Sequence, residues 1–463
     1  MQKLFEEVGR LDRRCYSEFG LSEEILMEHA SNGIASFIRK NFSFSTKIII
    51  VCGSGNNGAD GIALGRLLHG DYDVTLFHVK EPKSDMAILQ QKRAYAIGVK
   101  STIELNKCDL LVDAVYGTGF RGEFNYEAKA VMQTINKLDC YKIACDIPSG
   151  LKSNGMCDEN TFKADTSLTM GALKKSMFLD EVKDVVGEIE VLDLGVSRNV
   201  YETSTNWYLL DLEDLELPRR TKKDSHKGSY GHLALALGEK SGASIMSSQS
   251  ALRFGAGLVT LVGFKEVMIP NSIMQSHELP SNATALAIGM GLGSEFSDKE
   301  LDKFLDNTLP LVVDADIFNM PIVTKILKRK NIVLTPHPKE FVSLLKFSGL
   351  ADISVEILQK NRFKYAEIFT QAYPDATLLL KGANVIIAHN SEFYINPHGT
   401  AALAKGGSGD ILSGLVGALL AQGYTTVEAA KNASLAHTQL VLNYKGADFS
   451  LTADDLIAEI GNL

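Results

Sequence analysis

The chain has 463 residues, which at roughly 150 residues per domain predicts two or three domains. It is 45% hydrophobic and 22% charged, as soluble globular proteins are, and its net charge of −9 argues against a general affinity for nucleic acid or an anionic membrane. Six cysteines are too few for a disulfide scaffold of this size, and all six lie within the first 157 residues. This asymmetry suggests that two stretches of different ancestry have been joined.

Nothing in the sequence predicts a membrane protein or an exported one. No apolar run approaches the ~20 residues that a membrane span needs. The first residues are acidic and lack the apolar core of a signal peptide. We therefore expect a cytoplasmic protein whose thiols are reduced and buried.

The first part of the chain alternates between helical and strand-like patterns. Apolar residues recur at helical spacing through the first 40 residues, which are predicted to be helical. Helices are also expected at 61–68 and 85–97. Strands are expected at 47–52, 74–79, 110–115, 142–146, 167–170 and 189–192. Such alternation predicts a mostly parallel sheet covered on both faces.

A polar and charged segment near residues 200–225 separates this region from a second alternating one. Helices there are expected at 244–254 and 339–345, among others. Strands are expected at 232–237, 258–262, 283–288, 311–314, 331–335, 377–381, 385–388 and 392–394. The chain is thus predicted to be α/β throughout, with domains at 1–205 and 206–463. The basic cluster at 219–223 is expected to be a solvated linker, with phosphate contact at the mouth of the second domain as the alternative.

The strongest motif of the first half is GSGNNGADG at residues 53–61, between a predicted strand and a predicted helix. It satisfies G-x-G-x-x-G, and backbone amides at such a turn can hold a pyrophosphate. The match alone is weak, and a dehydrogenase fits poorly because Asn56, Asn57 and Asp60 crowd the turn with side chains.

Two other strand ends carry similar residues, in VDAVYGTGFRGE at 112–123 and CDIPSG at 145–150. Because parallel sheets gather ligands at the carboxyl ends of their strands, Asn57, Asp113 and Ser149 are expected to converge. An all-oxygen cluster with one carboxylate suits a hard, weakly charged cation better than zinc or copper. Asp146 lies beside this cluster as a candidate acid or base. Taken singly, each residue could instead be a helix cap or a turn residue.

These three blocks resemble the signature of the NAD(P)H-hydrate epimerase domain over about residues 1–200. The resemblance implies a Rossmann-like three-layer fold that interconverts the R and S forms of hydrated NAD(P)H. It also implies a potassium ion bound by Asn57, Asp113 and Ser149, and acid–base catalysis by Asp146. The implied substrate contacts are Asn56, Asn57, Gly58, Ala59, Asp60, Gly117, Thr118, Gly119, Phe120, Arg121, Gly122, Glu123 and Asp146.

The strongest motif of the second half is KGGSGD at residues 405–410, which runs into an apolar stretch. Amides in such a turn can hold a phosphate, and Asp410 can take a proton from a hydroxyl that attacks it. That is the geometry of phosphoryl transfer, although a helix-capping Asp410 is the alternative. Further strand ends carry VDAD at 313–316, PHPKE at 336–340 and KGAN at 381–384. No Walker A sequence occurs.

These motifs, with GMGLG at 289–293, are similar to the ribokinase-like NAD(P)H-hydrate dehydratase over about residues 208–463. The resemblance implies that ADP or ATP, with magnesium, phosphorylates the C6 hydroxyl of the S epimer; elimination of phosphate then restores NAD(P)H. ADP, which would leave AMP, is the favoured nucleotide, and Asp410 is the implied general base. The implied substrate contacts are Ala243, Gly291, His337 and Asp410. The implied nucleotide contacts are Lys381, Gly382, Ala383, Asn384, Val385 and Gly409.

The sequence departs from the dehydratase pattern in two places, at Lys339, where glycine is usual, and in the segment before Lys405. The intact turn around Asp410 still predicts an active enzyme. We therefore expect a bifunctional isomerase and lyase for metabolite repair. It would act on the hydrates NADHX and NADPHX and on ADP, without nucleic acid or membrane partners, as a homo-oligomer. The alternatives are a vitamin-type small-molecule kinase with a Rossmann regulatory domain, and a non-catalytic nucleotide-binding scaffold.

Overall fold

The computed structural model describes residues 1–105, 107–265, 267–293 and 298–463, without the side chains of 298 and 299. It divides into two compact units, Lys3–Thr205 and Asn206–Leu463, the second of which includes Met1–Gln2. Both units are built from parallel strands and helices, so the expected α/β fold class is confirmed. In the part of the chain just defined, every helix is too short or too polar to cross a membrane.

The N-terminal unit is a parallel sheet of seven strands with helices on both faces, in the order β4-β3-β2-β5-β6-β7-β9, and one further strand pair, β1 and β8. Its strands are β1 Gln2–Phe5, β2 Lys47–Cys52, β3 Asp73–His78, β4 Lys100–Thr102, β5 Leu110–Ala114, β6 Tyr141–Cys145, β7 Thr166–Met170, β8 Leu173–Lys174 and β9 Glu188–Leu192. Its helices are α1 Gly9–Glu18, α2 Glu23–Asn41, α3 Asn56–Leu68, α4 Asp85–Ala96, α5 Tyr126–Asn136, α6 Lys183–Val186 and α7 Arg198–Tyr201.

Strand β2 shows why this unit has three layers. Its side chains alternate between the two faces of the sheet, as the period of two requires. Ile48 and Ile50 pack in one core with α2 and α3, whereas Ile49 and Val51 pack in another with α5. A continuous apolar strand between two helical layers is what a parallel sheet needs. All six cysteines of the chain are free thiols, and Cys52 and Cys145 lie in the first of these cores.

The prediction that the first 40 residues are helical is wrong for residues 2–5. They form β1, which pairs in parallel with β8 through Leu4 and Leu173. Two helices, α1 and α2, follow it. Local spacing could not reveal this strand because its partner lies about 170 residues away, and long-range pairing overrides local propensity.

The C-terminal unit has strands in the order β13-β12-β11-β14-β15-β16-β17-β18-β19-β10. They are β10 Trp207–Leu209, β11 His232–Ala236, β12 Leu258–Val262, β13 Met274–Ser276, β14 Ala285–Ile288, β15 Leu311–Val313, β16 Ile332–Leu334, β17 Ala376–Leu380, β18 Val385–His389 and β19 Glu392–Asn396. The helices are α8 Ser241–Arg253, α9 Asp298–Leu305, α10 Val323–Ile326, α11 Pro338–Phe347, α12 Val355–Lys360, α13 Arg362–Ala372, α14 Ser408–Ala421, α15 Thr426–Asn443 and α16 Ala453–Glu459.

This sheet is parallel from β13 to β17, and β17, β18 and β19 then run antiparallel. The nearly all-apolar helix α14 packs against α8, and a Cβ atom on Gly414 would lie only 2.0 Å from the Ser250 hydroxyl oxygen. Glycine there permits the two helices to approach closely. The packing brings the start of α14, which carries Asp410, beside the first half of α8.

The basic cluster at 219–223 is exposed and lies at the other end of α8. The Arg220 guanidinium sits 4.1 Å from the centre of the Tyr230 ring and donates to the Gly255 carbonyl oxygen, just beyond the last residue of α8. Because a 13-residue helix is about 20 Å long, these cations are remote from Asp410. The structure agrees with a solvated linker and gives no support to phosphate contact.

Candidate functional site

A cavity of about 150 Å³ opens at the carboxyl ends of the central strands of the N-terminal unit. Four of the expected substrate contacts line it, namely Asn56, Asp60, Thr118 and Asp146. They arrive from the start of α3 and from the loops after β5 and β6, which parallel strands deliver to one edge. Residues of α1 and α2 complete the wall.

Asp146 is held at the cavity wall by three donors. The Lys174 ammonium lies 2.6 Å from Asp146 Oδ1, and this same oxygen accepts from the Met170 backbone N–H at 3.0 Å and the Thr169 hydroxyl at 3.2 Å. Lys174 is 1% exposed. Within the described chain, nothing donates to Oδ2, so this oxygen is left for a ligand.

The backbone of Asp146 adopts a left-handed conformation, with φ of 76°. Residues other than glycine rarely adopt it, although Asp and Asn tolerate it best. Such strain of about 1–3 kcal/mol persists only where the surroundings impose it, and it is concentrated at functional sites. Here the Asp146 N–H is fixed by the Leu168 carbonyl oxygen at 3.0 Å.

The cavity is otherwise acidic. The Asp12 carboxylate accepts from the Tyr201 hydroxyl at 2.7 Å, and burial raises the pKa of Asp12. Glu23 accepts from the Asn56 amide at 2.5 Å. Burial, followed by the charges of Asp146, Asp12 and Glu23, raises the pKa of Asp60 well above its usual range. Among the residues that the structure describes on this wall, Lys174 is the one lysine or arginine.

The residues expected to bind potassium lie together behind the turn at 53–61. Asp113 Oδ1 accepts from the Ser149 hydroxyl at 2.7 Å, and its Oδ2 accepts from the Ser149 N–H at 2.8 Å. A Cβ atom on Gly117 would lie 3.2 Å from Asn57 Oδ1. The buried Asn57 Nδ2 has no hydrogen-bond partner in the described ranges. Because an amide can be turned end for end, this position can offer an oxygen, and the three residues therefore fit a hard monovalent cation.

The structure does not bring the second half of the 117–123 block to the cavity wall. Phe120 is buried against Tyr116 and Phe124, with ring centres 5.1 Å and 5.0 Å apart. The Arg121 guanidinium donates to the carbonyl oxygens of Thr118 and Phe120, which stiffens the loop. Gly122 and Glu123 are exposed.

In the C-terminal unit, Asp410 lies in the first turn of α14. Its carbonyl oxygen accepts from the Ser247 hydroxyl of α8 at 2.6 Å. Gly407, just before the helix, has φ of 91°, and a Cβ atom there would lie 2.8 Å from the Ala453 Cβ. Only glycine fits this turn, which aims the free N–H groups of the helix outward as a phosphate site would require.

Lys381 follows β17 and joins the acids at this end of the sheet. Its ammonium lies 2.9 Å from Asp314 Oδ1 and 3.9 Å from Glu340 Oε2, and a Cβ atom on Gly409 would lie 3.3 Å from it. Burial alone would lower the pKa of Lys381, but Asp314 and Glu340 raise it. Burial, helped by the charge of Asp314, raises the pKa of Asp410 to about 6.

His337 caps α11. Its Nδ1 accepts from the N–H groups of Lys339 at 3.1 Å and Glu340 at 3.2 Å, and its Nε2 lies 3.2 Å from Glu340 Oε1. Burial raises the pKa of Glu340 to about 7. Ala243 and Gly291 also meet, since a Cβ atom on Gly291 would lie 3.0 Å from the Ala243 Cβ.

The sequence analysis did not select Lys174, Asp314 or Ser413 as site residues. Asp314 is 2% exposed and accepts from both Lys381 and the Ser413 hydroxyl, the latter at 2.6 Å. The two carboxylates of VDAD were a usable signal for Asp314. Lys174 comes at the end of the apolar run 170–173 and is followed by Lys175, so no sequence signal distinguished it from its neighbour.

Comparisons with known proteins identify the family. The sequence model of NAD(P)H-hydrate dehydratase matches residues 233–462, and that of the YjeF-related protein N-terminus matches residues 23–176. A bifunctional NAD(P)H-hydrate repair enzyme from Helicobacter pylori is 43% identical over the whole of both chains. The chain belongs to the bifunctional NAD(P)H-hydrate repair enzymes.

Other members of this family are more distant. The Coxiella burnetii repair enzyme is 31% identical, over 98% of this chain and 97% of the relative. The Escherichia coli repair enzyme is 30% identical, over 93% of this chain and 87% of the relative. A solved ADP/ATP-dependent NAD(P)H-hydrate dehydratase from Bacillus subtilis, crystallised with ATP and Mg²⁺, is 26% identical over 56% of this chain and 98% of its own, with a TM-score of 0.48.

Family membership confirms the expected enzyme class. The chain is a bifunctional repair enzyme that joins an epimerase to a dehydratase, both acting on hydrated NAD(P)H. This agrees with neither alternative, the vitamin-type kinase or the non-catalytic scaffold.

Proposed function

We propose that the epimerase is the region 1–205 and the ADP-dependent dehydratase the region 206–463. The observation that carries this assignment is that each unit has its own carboxyl group, buried or half-buried, at the carboxyl edge of a parallel sheet. Asp146 faces a cavity in the first unit, and Asp410 begins a helix after a glycine turn in the second. The two sites have different chemistry and can work on the two epimers in turn.

In the epimerase, Asp146 is the proposed acid–base residue, acting through the free Oδ2. The start of α3 and the first half of the loop at 117–123 would contact the substrate, with Asn56, Asp60 and Thr118 lining the cavity beside Asp146. Potassium, held by Asn57, Asp113 and Ser149, would supply a fixed positive charge behind the 53–61 turn. The Ser149 hydroxyl also accepts from the Tyr116 N–H at 2.8 Å, which ties the cation site to the 117–123 loop.

In the dehydratase, Asp410 is the proposed general base. It takes the proton of the C6 hydroxyl while the hydroxyl oxygen attacks the terminal phosphorus of ADP and the bond to AMP breaks. The C6–O bond then breaks with loss of phosphate and of a ring proton, which restores NAD(P)H. A pKa of about 6 suits a base at neutral pH, because the carboxyl is ionised and still a useful acceptor.

The resemblance to the dehydratase supports the remaining contacts. Gly409 and the 381–385 segment would contact the nucleotide, with the Lys381 ammonium placed against its phosphates. Ala243, Gly291 and His337 would contact the hydrate. Magnesium usually takes one or two carboxylates and the substrate phosphates, and the acids at 313–316 fit such a site, where it would neutralise the transferring phosphoryl group.

The test is to incubate the protein with a mixture of R and S NADHX and follow the absorbance of reduced nicotinamide. With ADP, we expect initial conversion of the S epimer and then full conversion of the R epimer. Conversion of only the S half would contradict an active epimerase, and no conversion with ADP or ATP would contradict the dehydratase. Replacing potassium with sodium should slow only the conversion of the R epimer, because only the epimerase is proposed to bind potassium.

We also propose that the enzyme is a cytoplasmic homo-oligomer whose ligands are the small molecules NADHX, NADPHX and ADP. Sedimentation of the full chain checks the oligomer, since a single species at the monomer mass would contradict it.

A further inference from the structure

Two carboxyl groups in the epimerase cavity have opposite surroundings. Asp146 has a lysine and two further donors on one oxygen. Asp60, on α3, lines the same cavity and is 8% exposed, yet its carboxyl group has no hydrogen-bond or ion-pair partner among the described residues. Its backbone carbonyl oxygen, in contrast, accepts from the Ser31 hydroxyl at 3.1 Å.

These surroundings compensate charge on the two carboxyl groups differently. The Lys174 ammonium lies 2.6 Å from Asp146. An ionised Asp60 would be a nearly buried charge without such a partner, which favours its protonated form. The titratable and charged groups around it are mostly acids and would add repulsion; they are Asp12, Tyr16, Glu23, Cys145, Asp146 and the single cation Lys174. A neutral carboxyl beside an ionised one is the usual pairing of an acid with a base.

We propose that Asp60 is a second catalytic residue of the epimerase, the general acid that protonates the departing C6 hydroxyl of the hydrate. This inference rests on the proposed epimerase function and on the placement of both groups at one cavity. C6 carries both the hydroxyl and the ring nitrogen, so the C6–O bond can break with help from the nitrogen lone pair. The electron pair of that bond leaves with oxygen, the Asp60 proton completes a water molecule, and a C6=N⁺ bond forms.

The second half of the step returns the hydroxyl from the other face of the ring. A water oxygen forms the new C6–O bond, the π electrons of C6=N⁺ return to nitrogen, and the water proton passes to Asp146 Oδ2. The proton then returns from Asp146 to Asp60 through the water of the open cavity. No oxidant or further reactant is needed, and the negative charge of Asp146 stabilises the cation between the two halves.

A role in substrate binding alone makes a different prediction. An asparagine at position 60 keeps the size and one donor but has no transferable proton. If Asp60 only binds the hydrate, Asp60→Asn raises KM and leaves kcat nearly unchanged. If it is the general acid, kcat falls about 10²-fold or more, because the hydroxyl must leave unassisted.

The experiment measures R-to-S conversion by the full chain from initial rates above the uncatalysed background. For Asp60→Asn we expect the fall in kcat, while the far-UV circular dichroism of the full chain stays that of the wild type and shows that both units are folded. ADP-dependent conversion of pure S NADHX should also keep the wild-type rate, which shows that the C-terminal unit is unaffected. A wild-type kcat for epimerisation in Asp60→Asn would overturn this inference and leave the proposed function standing. No acceleration by the wild type would overturn both.

The wild-type pH profile provides a test that needs no variant. A general acid works only while protonated, so the epimerisation rate should fall as pH rises through the pKa of Asp60, which lies well above that of an ordinary aspartate. A rate that stays level or increases through this range would overturn the proposal. In Asp60→Asn this alkaline decline should be absent.

Discussion

The two active regions each contain a lysine paired with an aspartate, but a different aspartate takes part in each. In the epimerase, the buried Lys174 contacts the proposed catalytic Asp146 itself, at 2.6 Å. In the dehydratase, the half-buried Lys381 contacts Asp314 at 2.9 Å, and no lysine or arginine among the described residues forms an ion pair with Asp410. The pKa of Asp410 is accordingly raised to about 6 by burial and by the charge of Asp314.

The difference matches what each reaction asks of its carboxylate. Epimerisation develops positive charge on the ring, which a carboxylate held by a lysine on one oxygen can stabilise electrostatically while its other oxygen remains available to accept a proton. Phosphoryl transfer needs a carboxylate that accepts a proton, and the dehydratase lysine, Lys381, can instead contact the phosphate groups. The lysine–aspartate pair thus includes the catalytic carboxylate in the epimerase. In the dehydratase it includes a neighbouring carboxylate, and Asp410 remains outside the pair.

The largest expected effect comes from removing the free base. Asp410→Asn should lower ADP-dependent NADH recovery by about 10²–10⁴-fold, because no other group on α14 can accept the hydroxyl proton. Epimerisation, followed as R-to-S conversion, should keep the wild-type rate. An equal loss of both activities would contradict independent sites.

Removing the cation that holds Asp146 should have the next largest effect. Lys174→Met leaves a nearly buried carboxylate unpaired, and breaking such a pair costs about 3–5 kcal/mol of folding stability. Epimerisation should fall with it. The exposed Lys129, 3.6 Å from Glu159 in the same unit, gives the control. Lys129→Met should cost below about 1 kcal/mol in chemical denaturation, and equal costs would contradict the assigned role of Lys174.

The charge of Asp314 should be visible in the pH dependence of the dehydratase. Asp410 must be ionised to act, so the wild-type rate should fall as pH drops through about 6. Asp314→Asn removes a charge that raises this pKa, so the acid decline should move to lower pH. Ser413→Ala removes only a neutral donor to Asp314 and no charge. The pH midpoint of the acid decline should therefore stay within about 0.3 pH unit of the wild-type value, a change of about 0.4 kcal/mol.

The smallest effect is expected at Lys339. Its side chain is exposed, and only its N–H joins the α11 cap, through His337 Nδ1. Lys339→Gly keeps that N–H, so dehydratase kcat/KM should change less than about threefold, which is within 0.7 kcal/mol. A larger change in steady-state kinetics would show that Lys339 contacts a substrate.

The site residues that could be predicted from the sequence are those at or just after the ends of strands. Asn57 and Ser149 follow two strands of one parallel sheet and Asp113 lies near the end of the strand between them, so topology brings these three residues to one edge. Lys174 was not predicted because it reaches Asp146 only through the path of β7 and β8. Phe120 lies in a glycine-rich block expected to contact substrate, yet packing against Tyr116 and Phe124 turns its ring inward.

The left-handed backbone at Asp146 affects how substitutions at this position can be interpreted. With φ of 76°, alanine is disfavoured by its backbone as well as by the loss of the carboxylate, whereas asparagine accepts the same conformation. Alanine therefore measures two losses at once, and asparagine isolates the chemistry. If variants at position 146 are selected for protein abundance and not for epimerisation, glycine and asparagine should be retained. Valine and isoleucine should be depleted, because branched side chains fit this backbone conformation poorly.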